Sequence, residues 1–257
     1  MIRLKNEKQI DGIRKSCKLL SAMYRELIPL VKPGIQTIEI DQWVQNWIKK
    51  SGGIPVFLGY RLKKTAYPAA ICISINEEVI HGIPSKRRIR EGDLVSLDCG
   101  ISLDGFISDQ AVSIEAGQVS AEIKKLNRIT NESLYKGIEA AKAGERLLQV
   151  SRAVEGHVKP HGYGIVHEYC GHGVGLALHE DPHVPNTPHG ANPKMNNGMV
   201  FAIEPMINLG ARDIEILEDD WTVVTADGKI SAHWEHTISI FNGKTEILTE
   251  RLEGLVF

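Results

Sequence analysis

The sequence has no pair of closely spaced cysteines. Cys17, Cys72, Cys99 and Cys170 stand far apart, so no C-x-x-C redox motif or zinc ribbon is present. Four reduced thiols in a cytosolic protein are the expectation. Long apolar runs are also missing. No stretch approaches the ~18 apolar residues of a membrane span, and the first ten residues, Met1 to Ile10, hold no apolar run that a signal peptide needs. A cytoplasmic protein without a membrane partner is therefore expected. Charge of one sign is not in excess: the formal net charge of the 257 residues is −2. That excludes a global pull toward nucleic acid or anionic lipid. No linker, low-complexity tract or short-period repeat interrupts the chain, which reads as a single domain over 1–257.

What is present suits a globular enzyme, with 42% hydrophobic and 24% charged residues. Asn6 and Gln9 fit a capping box, and Ile10, Ile13, Cys17 and Leu20 follow at helical spacing. A second helix begins after Thr37 with an apolar stripe of Ile40, Trp43, Val44, Trp47 and Ile48, and Gly52-Gly53 ends it. The two tryptophans read as core. Ala70 to Ile75, Leu94 to Leu97 and Phe106 to Ile114 read as strands. Ser120 starts a helix running toward Gly144, and another runs from about Leu147 toward Pro160. Strands resume from Met199 to Ile207. Asp227-Gly228 and Asn242-Gly243 signal two further hairpins. Helices and strands come in blocks, so an α+β domain with a mostly antiparallel sheet is expected. The basic segment Lys86 to Arg90 reads as a solvated loop, with contact to RNA as the alternative.

Asp98 and Asp109 carry the first sign of chemistry. Asp104-Gly105 between them is a two-residue hairpin turn. If these residues form the turn, Asp98 faces Ala111, and Asp109 lies two residues away on the same strand. A shift of two keeps the same face of the sheet. Two carboxylates then point the same way, and like charges so placed repel unless a cation lies between them. A solvent-facing acidic pair is the alternative. His172 sits among Gly171, Gly173 and Gly175, which permit close backbone approach. Glu204 lies in the apolar run Met199 to Met206, where an unpaired carboxylate is costly. Glu235 enters another β-branched run. Four carboxylates and one imidazole suit Mn, Fe, Co or Mg better than a structural zinc site. Two divalent ions would neutralise the carboxylates, activate water and polarise a carbonyl.

These segments resemble the bacterial type I methionine aminopeptidases over nearly the whole chain. The resemblance rests on Ser74 to Pro84, Gly92 to Asp98, Asp104 to Asp109, Gly171 to Glu180, Gly198 to Met206, and Glu235-His236-Thr237. It implies the pita-bread fold, with helices outside an antiparallel sheet. It also implies removal of the N-terminal methionine from nascent polypeptides when the next residue is small, by water attack activated by two metal ions.

In that reading Asp98 binds one ion, Asp109 and Glu235 bridge the pair, and His172 and Glu204 bind the other. Glu204 also takes and passes the proton of the attacking water. His179 hydrogen-bonds the scissile carbonyl, and His81 contacts the substrate backbone. Tyr60, Tyr67, Cys72 and Trp221 wall the methionine pocket, with ordinary core packing as the alternative for each. Met206 is similarly ambiguous. The ions implied are Co, Mn, Fe(II) or Zn; the partner is the N-terminal methionine of nascent peptides, with contact to the ribosome left open and no stable nucleic-acid complex; the protein is expected to be a monomer.

Three features depart from the family pattern. The connection Arg61 to Ala66 looks longer than usual. Leu178 stands where an aromatic residue is often found, and His233 where many relatives carry Gln. The competing readings are a proline-specific aminopeptidase or dipeptidase of the same fold, and a binding module that has lost catalysis.

Overall fold

The computed structural model describes residues 1–61, 65–252 and 254. Leu62, Lys63 and Lys64, in the connection flagged as long, lie outside the described residues. Helix Glu7–Leu27 begins with the expected capping box, in which Asn6 and Gln9 satisfy each other's backbone donors. Ile10, Ile13, Cys17 and Leu20 are all buried along it. Helix Thr37–Lys50 follows, with Gln36 and Glu39 as a second such box. Trp43 and Trp47 stack at 6.4 Å between ring centroids and pack against the main core. Helix Ala121–Ala140 is capped by the Ser120 side chain and ends before the expected Gly144. Helix Leu148–Val158 packs against it.

The centre is an antiparallel sheet with nine strands among the described residues. Its middle is the hairpin Leu94–Leu103 and Phe106–Glu115, turned at Asp104-Gly105. Asp98 faces Ala111 and Gly100 faces Asp109, the register expected from the turn. Outward on one side lies Cys72–Ile75, a strand shorter than the expected Ala70 to Ile75. On the other side come Glu235–Phe241, Met199–Ile203, Gly171–Gly173 and Glu180–Val184 in turn. Helix Glu7–Leu27 covers the hairpin from outside. Its Tyr24 hydroxyl reaches the Gln110 carbonyl at 2.8 Å, and Ser21 Oγ donates to Gln110 Oε1 at 3.0 Å. On the helix Ala121–Ala140, Asn127 Oδ1 accepts from Trp234 Nε1 at 2.7 Å. These buried polar pairs fix each helix on the sheet without leaving orphaned donors.

Two expectations need correction. The run Met199 to Ile207 is two strands, Met199–Ile203 and Met206–Asn208, which lie in different sheets. Pro205 has no N–H to continue the ladder. The break turns Glu204 out of the apolar run. The turn at Asp227-Gly228 is real, yet the strands beside it are not partners. Val223–Thr225 pairs with Ile214–Ile216 and Glu78–Ile80, whereas Ser231–His233 pairs with Met206–Asn208. Asp227 accepts backbone hydrogen bonds from Ala211 and Lys229 instead. Asn242-Gly243 does close a hairpin, with Phe241 opposite Lys244.

Candidate metal centre and substrate cavity

One row of residues crosses four strands of the central sheet. Cys72 is opposite Asp98, Asp98 is opposite Ala111, and Ala111 is opposite Glu235. Directly paired residues share a face, so three functional groups line up around one small side chain. Asp109, two residues before Ala111, adds a fourth group to that face. Its backbone is clamped by Thr237, whose Oγ1 donates to Asp109 O at 2.7 Å. Alternation sends the next residue, His236, to the opposite face. There it meets the Tyr135 hydroxyl at 2.9 Å and Thr249 Oγ1 at 2.7 Å.

His172 arrives from the neighbouring strand. A Cβ at Gly171 would stand 2.3 Å from Ala202 O, and one at Gly173 would stand 2.2 Å from Asp181 O. Only glycine lets the backbone on both sides of His172 lie this close to its neighbours. His172 Nδ1 donates to Gly173 O at 3.0 Å. Nε2 is thereby left as a lone pair, which is how a metal-binding imidazole is oriented. It lies 3.5 Å from Glu204 Oε1 and 3.8 Å from Asp109 Oδ2. Asn186 Nδ2 holds the Glu204 backbone carbonyl at 3.0 Å.

The site is acidic and largely buried. Burial is the main cause of every shift that follows. It pushes Asp98 up to about 7 and Glu204 up to about 8, and holds Asp109 and Glu235 well above the usual carboxylate range. The neighbouring carboxylates add to the rise at Asp98, Asp109 and Glu235. Burial lowers His172 to about 3 and His179 to about 4. No Lys or Arg is among the described residues that line the cavity. Asp98 Oδ1, Asp109 Oδ1 and Glu235 Oε1 are buried with no hydrogen-bond partner. Ligand atoms of Asp109, His172 and Glu235 lie within 4.8 Å of one another. Buried carboxylates without cationic partners or hydrogen bonds are what a divalent cation would satisfy. The donor set therefore fits a metal, with oxygen predominating.

Beside this acidic floor opens a cavity of about 480 Å³. Its apolar wall is the cluster Phe57, Tyr67, Cys72, Leu178 and Trp221, with Tyr60 at its edge. Tyr67 meets Trp221 edge-on at 5.2 Å and donates to Gly82 O at 2.9 Å. His81 adopts a left-handed backbone, with φ of 59°. Its ring stands edge-on to Tyr169 and Trp221 at 5.5 and 6.1 Å.

The structure thus brings together every residue expected at the site: Asp98, Asp109, His172, Glu204 and Glu235 at the floor, and Tyr60, Tyr67, Cys72, His81, His179 and Trp221 around the cavity. Met206 is core, packed with Val79, Val166 and Val223. The basic segment lies elsewhere. Arg87 pairs with Glu77 and Glu78, and Arg88 with the Gly34 carbonyl. Sequence reasoning missed Phe57, Tyr169, Cys170 and His183, which also line the cavity. Of these, His183 lies directly opposite His172 across the strand pair.

An oxygen-rich cation site beside an apolar cavity is an arrangement suited to a metal-dependent hydrolase. The model of metallopeptidase family M24 matches residues 11–241. A methionine aminopeptidase of Treponema pallidum is 52% identical over 255 residues, covering 98% of both chains. The methionine aminopeptidase 1 of Bacillus subtilis is 44% identical over 97% of this chain and 99% of that one. The crystal structure of the Thermotoga maritima methionine aminopeptidase superposes with a TM-score of 0.93 at 39% identity, covering 98% of this chain and 100% of that one. A prolidase of Pyrococcus furiosus, 24% identical with a TM-score of 0.76 and matched over 65% of its length, shows the same fold. The chain belongs to metallopeptidase family M24 and, within it, to the methionine aminopeptidases. Its fold is the pita-bread α+β fold.

Proposed function

We propose that this chain removes the N-terminal methionine of nascent polypeptides as a single catalytic domain. The observation that carries the reading is the row Cys72–Asp98–Ala111–Glu235. It makes the apolar wall and the acidic floor one continuous surface. A methionine side chain against Cys72, Tyr67 and Trp221 would place its own peptide bond over the carboxylates. Polarizable sulfur packs well against such aromatic edges.

Two divalent ions would be held at the floor. Asp98, Asp109 and Glu235 would hold one, and His172 and Glu204 together with Asp109 and Glu235 would hold the other. When bound, the ions would lower the pKa of the attacking water and polarise the scissile carbonyl. Glu204, on the floor of the cavity, would accept the proton of that water and pass it to the leaving amine. His179 would donate to the carbonyl oxygen as negative charge grows there. His81 would position the substrate backbone after the cleaved bond. Burial keeps His179 neutral at physiological pH, so it would act as a hydrogen-bond donor rather than a charge. The penultimate side chain would have to be small to fit beside the imidazoles.

The work would be done in the cytoplasm. All four cysteines are free, and no helix among the described residues is long and apolar enough to cross a membrane. The substrate assignment is tested by comparing hydrolysis of Met-Ala-Ser with that of an Ala-Pro dipeptide under saturating Co or Mn. Release of methionine should dominate. Faster cleavage of Ala-Pro would overturn the assignment.

A further inference from the structure

Tyr60 lines the substrate cavity, but its hydroxyl does not face the apolar wall. It lies 2.6 Å from His179 Nδ1, with the two rings 5.2 Å apart. That distance is a short O–H···N hydrogen bond. A neutral imidazole has one donor and one acceptor nitrogen, so whatever Nδ1 does decides the role of Nε2. If the phenol donates to Nδ1, the proton of His179 must be on Nε2. If the imidazole donates to the phenol instead, Nε2 is a bare lone pair. Only the first arrangement lets His179 donate to a carbonyl oxygen.

The position of Tyr60 is itself held. Tyr67 N donates to Tyr60 O at 2.8 Å, Gly59 N donates to Tyr67 O at 2.9 Å, and Arg61 bridges to Ala66. These bonds make a narrow hairpin base. Thr65 Oγ1 accepts from Trp221 Nε1 at 3.1 Å, tying that base to the far wall of the cavity. The long connection after Tyr60 thus begins and ends in fixed geometry, with Tyr60 aimed at His179. His179 has a second ring beside it, His172, at 4.2 Å between centroids.

We infer that Tyr60 is a positioning residue: its hydroxyl donates to His179 Nδ1 and so locks His179 as the Nε2–H tautomer that faces the scissile carbonyl. This rests on the role proposed for His179. Tyr60 is then more than a wall of the methionine pocket, and its ring and hydroxyl have separable duties. Removing the hydroxyl should leave methionine binding in place and slow the chemical step.

The test uses full-length protein loaded with diamagnetic zinc, labelled with ¹⁵N at histidine. Long-range ¹H–¹⁵N correlation reads the tautomer of His179, assigned through the signal lost in His179→Asn. The wild type should show the proton on Nε2, and Tyr60→Phe should show a mixture of tautomers. In parallel, kcat of Tyr60→Phe on Met-Ala-Ser should fall roughly 10-fold or more, part of the roughly 10²-fold that loss of an oxyanion donor costs, with KM within about two-fold. Circular dichroism and metal stoichiometry should match the wild type. A wild-type His179 protonated on Nδ1 would overturn the inference, as would an unchanged tautomer and kcat in Tyr60→Phe. His179→Ala, measured alongside, separates the two layers. Normal kcat there removes the carbonyl role and this inference with it. Loss of kcat in His179→Ala with full activity in Tyr60→Phe removes the positioning role of Tyr60 alone.

Discussion

Asp98 and Glu235 lie on either side of Ala111, each directly opposite it on a neighbouring strand. The methyl group of Ala111 is the only side chain between two buried carboxylates in that row. A small residue is needed there, because β carbons of paired residues are about 5 Å apart. Ala111→Val would push two methyl groups toward the space the cations need. We predict that this variant folds, with a modest stability loss of about 1–3 kcal/mol from overpacking, and loses metal affinity by ten-fold or more. Isothermal titration with Mn checks this. Wild-type affinity in a folded variant would show that the row does not frame the ions.

Glu204 is proposed to be both ligand and proton carrier. Glu204→Ala should leave the fold intact and abolish turnover, with loss of kcat rather than a rise in KM. Steady-state kinetics on Met-Ala-Ser together with a melting curve read both quantities. Normal kcat in a folded variant would remove Glu204 from the chemistry.

His233 is fully buried, and its Nε2 lies 3.4 Å from Glu204 Oε2. An ionised carboxylate only accepts, so the facing nitrogen is best placed as a donor. Replacement by leucine should leave that oxygen without a polar neighbour and weaken metal binding roughly 10- to 100-fold. Glutamine can still donate, so His233→Gln should restore most of the affinity. Equal affinities for the leucine and glutamine variants would mean that His233 only fills space.

The pH dependence of the metal-free protein follows from the buried carboxylates. Asp98 and Glu204, raised by burial to about 7 and about 8, bind protons in the fold that the unfolded chain has already released. Their contribution to stability is full below the ordinary carboxylate range and is lost as pH rises through those raised values. His172 and His179, lowered by burial to about 3 and about 4, act oppositely. Theirs is lost as pH falls from the ordinary histidine value of about 6.5 through those lowered values. Above about pH 6.5 only the carboxylate effect remains. Chelated protein should therefore melt at lower temperature as pH rises from 6.5 to 8.5, and the stabilisation on adding Mn should grow over the same window. Calorimetry with and without EDTA measures both. A gap between loaded and chelated protein that shrinks with pH would contradict this electrostatic reading.

How much of this could be read from the residues depended on distance along the chain. Asp98 and Asp109 are joined by a two-residue turn, so their register followed from Asp104-Gly105 alone. Glu235 pairs with Ala111 from more than a hundred residues away, and no local rule sets that register. Its place came only from the cost of a carboxylate in a β-branched run and from family likeness. Asp227-Gly228 shows the opposite failure. The same dipeptide that closes hairpins there joins strands of two different sheets, because Asp227 serves the Ala211 backbone. Pro205 ends one strand after Ile203, a break that the otherwise apolar pattern of Met199 to Ile207 conceals. The cavity wall draws Phe57, Cys72, Leu178 and Trp221 from four separate segments, which periodicity within one segment cannot assemble. Tyr60 and His179 meet only in three dimensions.

We propose that Asp98, Asp109, His172, Glu204 and Glu235 hold the metal with which this chain releases methionine. The direct test is release of free methionine from Met-Ala-Ser by metal-stripped protein titrated with Co, Mn or Fe(II) under reducing conditions, in wild type and in Asp109→Asn. The account predicts no release without metal, restoration by added ion in the wild type, and no restoration in Asp109→Asn at concentrations that saturate the wild type. Full activity after stripping, or equal restoration in Asp109→Asn, would contradict it.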